Sequence, residues 1–115
     1  MTDLRIKELL HSLGITGKYR GYTYTMIACE LALEDETRLY CITSEVYNRI
    51  ASECECGKAS VERNIRTVIM KAWKLRRERL VEMAGLPLSA PPTVSDFIDY
   101  LITYIQRTEL TSSMR

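Results

Sequence analysis

Glu62, Arg63 and Arg66 fall within a little over one turn of a segment with helical periodicity, and their chemistry is that of base recognition. An arginine guanidinium donates a bidentate pair to guanine O6 and N7, and a glutamate accepts from the cytosine amino group. Around them stand cations and hydroxyls suited to phosphate oxygens: Lys58, Ser60, Thr67, Lys71 and Lys74. Glu62 and Arg66 are also spaced to form an i,i+4 ion pair on a helix surface. Both descriptions apply to the same side chains.

The charge is segregated. The chain of 115 residues has a net charge of only +1. Residues 58–79 hold eight Lys/Arg and two Glu, a local +6, whereas residues 1–57 carry −3 and residues 80–115 carry −2. Local basic patches attract phosphate backbones whatever the overall balance. Other chemistry is missing from the pattern. There is no phosphate-cradling glycine loop, no G-x-S-x-G and no H-E-x-x-H, and His11 is the sole histidine, so no enzyme is expected. Cys54-x-Cys56 is not a C-x-x-C pair, and Cys29 and Cys41 read as core, so neither a metal site nor a cofactor is expected.

The elements that must position these groups read as helices throughout. Leu4, Ile6, Leu9, Leu10 and Leu13 make one apolar face, stopped at Gly14. A second helix is expected over 22–35 with Tyr22, Met26, Ile27, Cys29, Ala32 and Leu33 inward, and a helical turn over 38–42. Thr43 or Ser44 is placed to cap a short helix whose inner face is Val46, Tyr47, Ile50, Ala51 and Cys54. Gly57 is read as the turn, and Ala51 as the small residue that admits the next helix. That helix spans about 58–75. Val61, Ile65, Val68, Ile69, Ala72 and Trp73 share its inner face, Arg63, Arg66, Thr67, Met70 and Lys74 the outer one, and Glu62 the flank. A short helix ends at Gly85, a proline loop follows, and Thr93 opens a last helix with Val94, Phe97, Ile98, Leu101, Ile102 and Ile105 inward. The expectation is an all-α domain over residues 1–115, a compact bundle of about six helices with a frayed tail over 110–115. Residues 43–75 form a helix-turn-helix whose second helix enters the major groove.

Composition agrees with a folded protein: 46% apolar and 27% charged residues argue against disorder. No apolar run approaches the roughly 18 residues a membrane span needs. The N-terminus lacks the apolar core of a signal peptide, which points to the cytoplasm.

The pattern I-T-x-x-V-Y-x-x-I-A (42–51), followed by S-V-E-R-N-I-R-x-x-I-x-x-A-W (60–73), resembles a known family. It is similar to the C-terminal DNA-binding effector domain of the response regulator that initiates sporulation in endospore-forming bacteria. L-G-I-x-x-x-x-x-G-Y-x-Y (13–24) and P-T-x-S-D-F-I (92–98) match as well, so the resemblance spans about residues 9–107. It implies an all-helical domain that binds double-stranded DNA carrying TGNCGAA-like boxes. It also implies head-to-tail occupancy of adjacent boxes and contact with the sigma factor of RNA polymerase. By position, Glu62 and Arg63 would read bases and Arg66 would lie close to the DNA. Ser60 stands where a basic residue is often found, and KLRRERLVEMAG (74–85) is more charged than its counterpart at the polymerase-facing surface. The sequence holds no receiver domain, and its start, MTDLRIKELL, favours a stand-alone protein over an excised domain. Occupancy would then follow concentration or a partner. The competing reading is a protein-interaction module derived from this domain that binds a transcription partner and no longer reads DNA.

Overall fold

The computed structural model describes residues 3–113, with side chains for 3–110. Six α-helices follow one another: α1 (Leu4–Ser12), α2 (Arg20–Glu34), α3 (Asn48–Glu53), α4 (Lys58–Leu75), α5 (Arg77–Ala84) and α6 (Val94–Ser113). A 3-10 segment (Glu36–Cys41) and one π-helical turn (Thr43–Tyr47) lead from α2 into α3. No strand occurs among the described residues, so the all-α class and the helix order agree with the sequence periodicities.

The core is continuous. Ile6, Leu10 and Leu13 from α1 and its end meet Ala28 and Cys29 of α2, Val61, Ile65 and Val68 of α4, and Phe97, Ile98, Leu101 and Ile102 of α6, all fully buried. The stripe of α6 therefore packs within the domain. Each of the valine, leucine, isoleucine and phenylalanine side chains among these core residues contributes about 1.5–3 kcal/mol when withdrawn from water. Leu4, expected on the inner face, is instead 68% exposed, because it occupies the first position of α1, where none of the described residues covers it. Ile27 and Leu33 are only half-buried.

α2 crosses α4 at close range. A Cβ built on Gly21 would lie 2.5 Å from Val68 Cγ2 and closer still to the Asn64 carbonyl. The glycine thus lets the two backbones approach directly. Ala51, expected to admit α4 against α3, is half-buried and packs against the core.

Local chemistry explains the helix ends. Asp3 accepts from the Arg5 backbone N–H at the start of α1 (2.9 Å), and the Arg5 guanidinium beside it lowers the Asp3 carboxyl below its ordinary value. Acidic Glu34 ends α2 on the side where the helix dipole favours a cation. The structure supplies that cation from the next segment: Arg38 Nη1 donates to the Leu31 carbonyl and to Glu34, both at 2.8 Å. Asp35 caps the 3-10 segment by accepting from the Thr37 N–H (3.0 Å). Thr93 Oγ1 accepts from the Asp96 N–H (3.2 Å), as its position ahead of α6 suggested. Backbone helix runs as far as Ser113, where a frayed tail was expected from 110; residues 114 and 115 lie outside the described residues.

Two expectations before α3 are corrected. Neither Thr43 nor Ser44 caps a helix, because the backbone is already helical at Ile42 (φ −59°, ψ −36°) and leaves no chain break to cap. Cys41, read as core, is exposed at the end of the 3-10 segment, whereas Cys29 is fully buried and its thiol pushed far up by that burial.

Candidate nucleic-acid interface

The turn between α3 and α4 is built differently from its sequence reading. Gly57 is extended (φ −85°, ψ 149°) and begins α4. The left-handed residue is Glu55, at φ +53°. Cys54 ends α3, Glu55 turns left-handed, and the Cys56 N–H donates back to the Ala51 carbonyl at 3.0 Å. This is the Schellman arrangement that satisfies the last carbonyls of a helix, with glutamate where glycine or asparagine is preferred. Sequence reasoning chose the glycine because glycine is the usual left-handed residue.

α4 then runs for 18 residues. Val61, Ile65, Val68, Ile69 and Ala72 are buried. Trp73, expected in the core, is half-buried: it packs on the core by one side, and the Arg77 guanidinium covers its ring at 4.0 Å. The apolar stripe turns Arg63, Arg66, Thr67, Met70, Lys71 and Lys74 to the opposite side, where they line one shallow surface groove. Five of the eight expected site residues are therefore brought together: Arg63, Arg66, Thr67, Lys71 and Lys74. Glu62 adjoins the groove through its pair with Arg66, while Ser60 and Lys58 lie nearer the N-terminus of the same helix.

Their individual geometries differ. Arg63 and Lys74 are exposed, and the structure gives neither an ion pair among the described residues. Arg66 Nη2 lies 2.8 Å from Glu62 Oε1, so the i,i+4 pair exists. Both charges act on Tyr47, the last residue of the π-helical turn before α3. The Tyr47 hydroxyl is pushed up to about 12, first by burial and then by the Glu62 charge, with Arg66 opposing. Ser60 Oγ is in contact with Asn64 Nδ2 (3.3 Å), which also donates to the Ser60 carbonyl (2.8 Å). Thr67 Oγ1 donates to the Arg63 carbonyl (3.1 Å). Lys71 Nζ is drawn over the Tyr19 ring at 5.9 Å. Lys58 is exposed at the first position of α4.

Sequence reasoning placed Met70 on the outer face and gave it no role. In the structure it is 42% exposed in the middle of the cationic groove, and it also borders a second groove with Arg66, Pro91, Pro92 and Val94. An apolar side chain among cations in such a groove fits contact with a thymine methyl. The signal was its period with Arg63, Arg66 and Thr67.

A short helix, a tight turn and a longer helix with a cationic outer face sit on an otherwise helical core, and the family that the sequence matches makes this all-α fold a DNA-binding effector domain of a transcription regulator. The chain belongs to the family described as sporulation initiation factor Spo0A C terminal, which it matches over residues 6–105, nearly its whole length. The resemblance read from residues 42–73 is thereby borne out. No helix among the described residues is long and apolar enough to cross a membrane.

Proposed function

We propose that this protein is a sequence-specific DNA-binding regulator that lays α4 in the major groove. The observation that carries the reading is the cationic groove of Arg63, Arg66, Thr67, Lys71 and Lys74 on the only face of α4 turned away from the core. Arg63 reads a base edge, and Glu62 and Arg66 read adjacent positions when the DNA competes for their mutual pair. Lys58, Ser60, Thr67, Lys71 and Lys74 contact phosphates and fix the register. The target is duplex DNA with TGNCGAA-like boxes, occupied head to tail by successive copies. Contact with a polymerase sigma factor and a cytoplasmic location complete the reading, with residues 1–115 acting as one domain.

The second reading is an interaction module that binds a transcription partner through the same domain. The observation favouring it is the Glu62–Arg66 pair, which engages two of the three base-reading groups with each other. Charge reversal separates the two. Arg63→Glu and Lys74→Glu alter exposed side chains without a described ion pair, so the fold is expected to survive. Loss of DNA binding with unchanged thermal unfolding supports groove insertion. Unchanged DNA affinity in both variants rejects it.

A further inference from the structure

Lys18 and Lys71 come from different elements and meet at one aromatic ring. Tyr19, at the start of α2, is half-buried and packs against the core. Lys71 Nζ of α4 lies 5.9 Å from the centroid of its ring, and Lys18 Nζ, from the loop joining α1 to α2, lies 5.6 Å from it. That loop is held at both ends. Ile15 is fully buried, the Tyr19 N–H donates to the Thr16 carbonyl (3.1 Å), and Gly21 lies against the α4 backbone at Asn64. Lys18 therefore keeps a defined place beside the second half of α4. No carboxylate is at hand to neutralise the two cations. Residues 9–29 hold no Asp or Glu, and α4 holds only Glu62, which pairs with Arg66. Neither lysine has an ion pair among the described residues. Two like charges thus share one ring, a weak partner at an exposed site, and an anion would be a better partner for both.

We propose that Lys18 grips a phosphate of the DNA strand that flanks the groove occupied by α4. The inference rests on the major-groove placement of α4 proposed above. Lys71 links the two regions, because it also lines the cationic groove with Arg63, Arg66, Thr67 and Lys74. Lys18 extends that cationic strip from α4 onto the α1–α2 loop. With α4 between the two strands, a loop beside the helix meets sugar and phosphate rather than base edges. A lysine there acts as a point charge that displaces a condensed counterion, so it adds affinity and register without sequence information. The sequence marks this contact only faintly. Lys18 is a lone cation in a loop, and nothing but the close crossing of α2 on α4 brings it to the binding face.

The test compares the full chain with its Lys18→Gln and Lys18→Arg variants. Lys18 is exposed, so both are expected to fold, which thermal unfolding checks. Anisotropy is recorded on a duplex with TGNCGAA-like boxes and on a scrambled duplex across a salt series. Lys18→Gln is expected to flatten the slope of log affinity against log salt by about one unit on both duplexes. It should weaken each about threefold to tenfold at low salt and leave their ratio unchanged. Lys18→Arg keeps the charge and should restore the slope. Neutral methylphosphonates placed singly along the flanking strand locate the contact: one position should weaken the parent and leave Lys18→Gln unaffected. An unchanged slope in Lys18→Gln would overturn the proposal, as would an altered preference between the two duplexes. If the parent binds both duplexes equally, the sequence-specific reading has failed, and the slope on the scrambled duplex still decides the phosphate contact. If the parent binds no duplex, both fail.

Discussion

Arg66 Nη2 and Glu62 Oε1 are 2.8 Å apart, one helical turn from each other on the outer flank of α4. Their side chains are 70% and 39% exposed, so solvent screens the pair and its contribution to stability is at most about 0.5 kcal/mol. In the function proposed here, that weakness would let a base edge replace either partner without a large conformational cost.

Glu62→Gln tests this dual use. Unfolding in urea should shift by no more than about 0.5 kcal/mol. Base preference should change by about tenfold at one position, because an amide both donates and accepts where the carboxylate only accepts. Competition binding with single-base operator variants measures it. A stability loss with unaltered preference would assign the pair to structure alone.

Arg63 and Lys74 lie in the same groove but should behave differently. Arg63→Ala is expected to cost roughly 1–3 kcal/mol on the preferred duplex and to relax a single position. Lys74→Ala should weaken all duplexes alike and flatten the slope of log affinity against log salt by about one unit. Salt titrations on matched and mismatched duplexes distinguish the two patterns.

Which residues α4 turns outward, and so the make-up of the candidate site, was legible in the sequence because it depends on one period. The burial of Val61, Ile65, Val68, Ile69 and Ala72 dictates which residues α4 turns outward, and helix geometry does the rest. The turn was not legible. Gly57 offered the obvious left-handed residue, but Cys54–Cys56 closes α3 through backbone hydrogen bonding, and Glu55 takes the strained position. Gly21 was also missed, since its role is a tertiary close approach to Asn64 and Val68 that leaves no mark on local periodicity. Cys41 misled for the opposite reason. Its type suggests burial, yet the 3-10 segment it ends lies outside the core.

Gly21→Ala should destabilise the domain by about 1–3 kcal/mol or more, because the added methyl meets the Asn64 backbone carbonyl, which cannot swing away as a side chain does. Gly57→Ser is the control. Nothing lies within 4 Å of its Cβ, and a serine at the start of α4 adds a cap, so stability should rise by a few tenths of a kcal/mol. Chemical denaturation of the two variants against the parent checks both signs.

Thr25 is fully buried in α2, and its hydroxyl has no hydrogen-bond partner among the described residues. A buried hydroxyl without a partner costs about 1–3 kcal/mol. Thr25→Val keeps the shape and removes the hydroxyl, so it should raise stability by about 1 kcal/mol. Thermal unfolding monitored by circular dichroism reads this directly. A loss of stability would mean that the hydroxyl is satisfied in solution, as by a bound water.

Fluorescence anisotropy on a labelled duplex with two TGNCGAA-like boxes, against a scrambled duplex across a salt series, tests the central claim most directly. The account predicts a preference of about 10³ or more for the boxed duplex and a steep negative salt slope. Equal, weak binding to both duplexes, with the same slope, would contradict it.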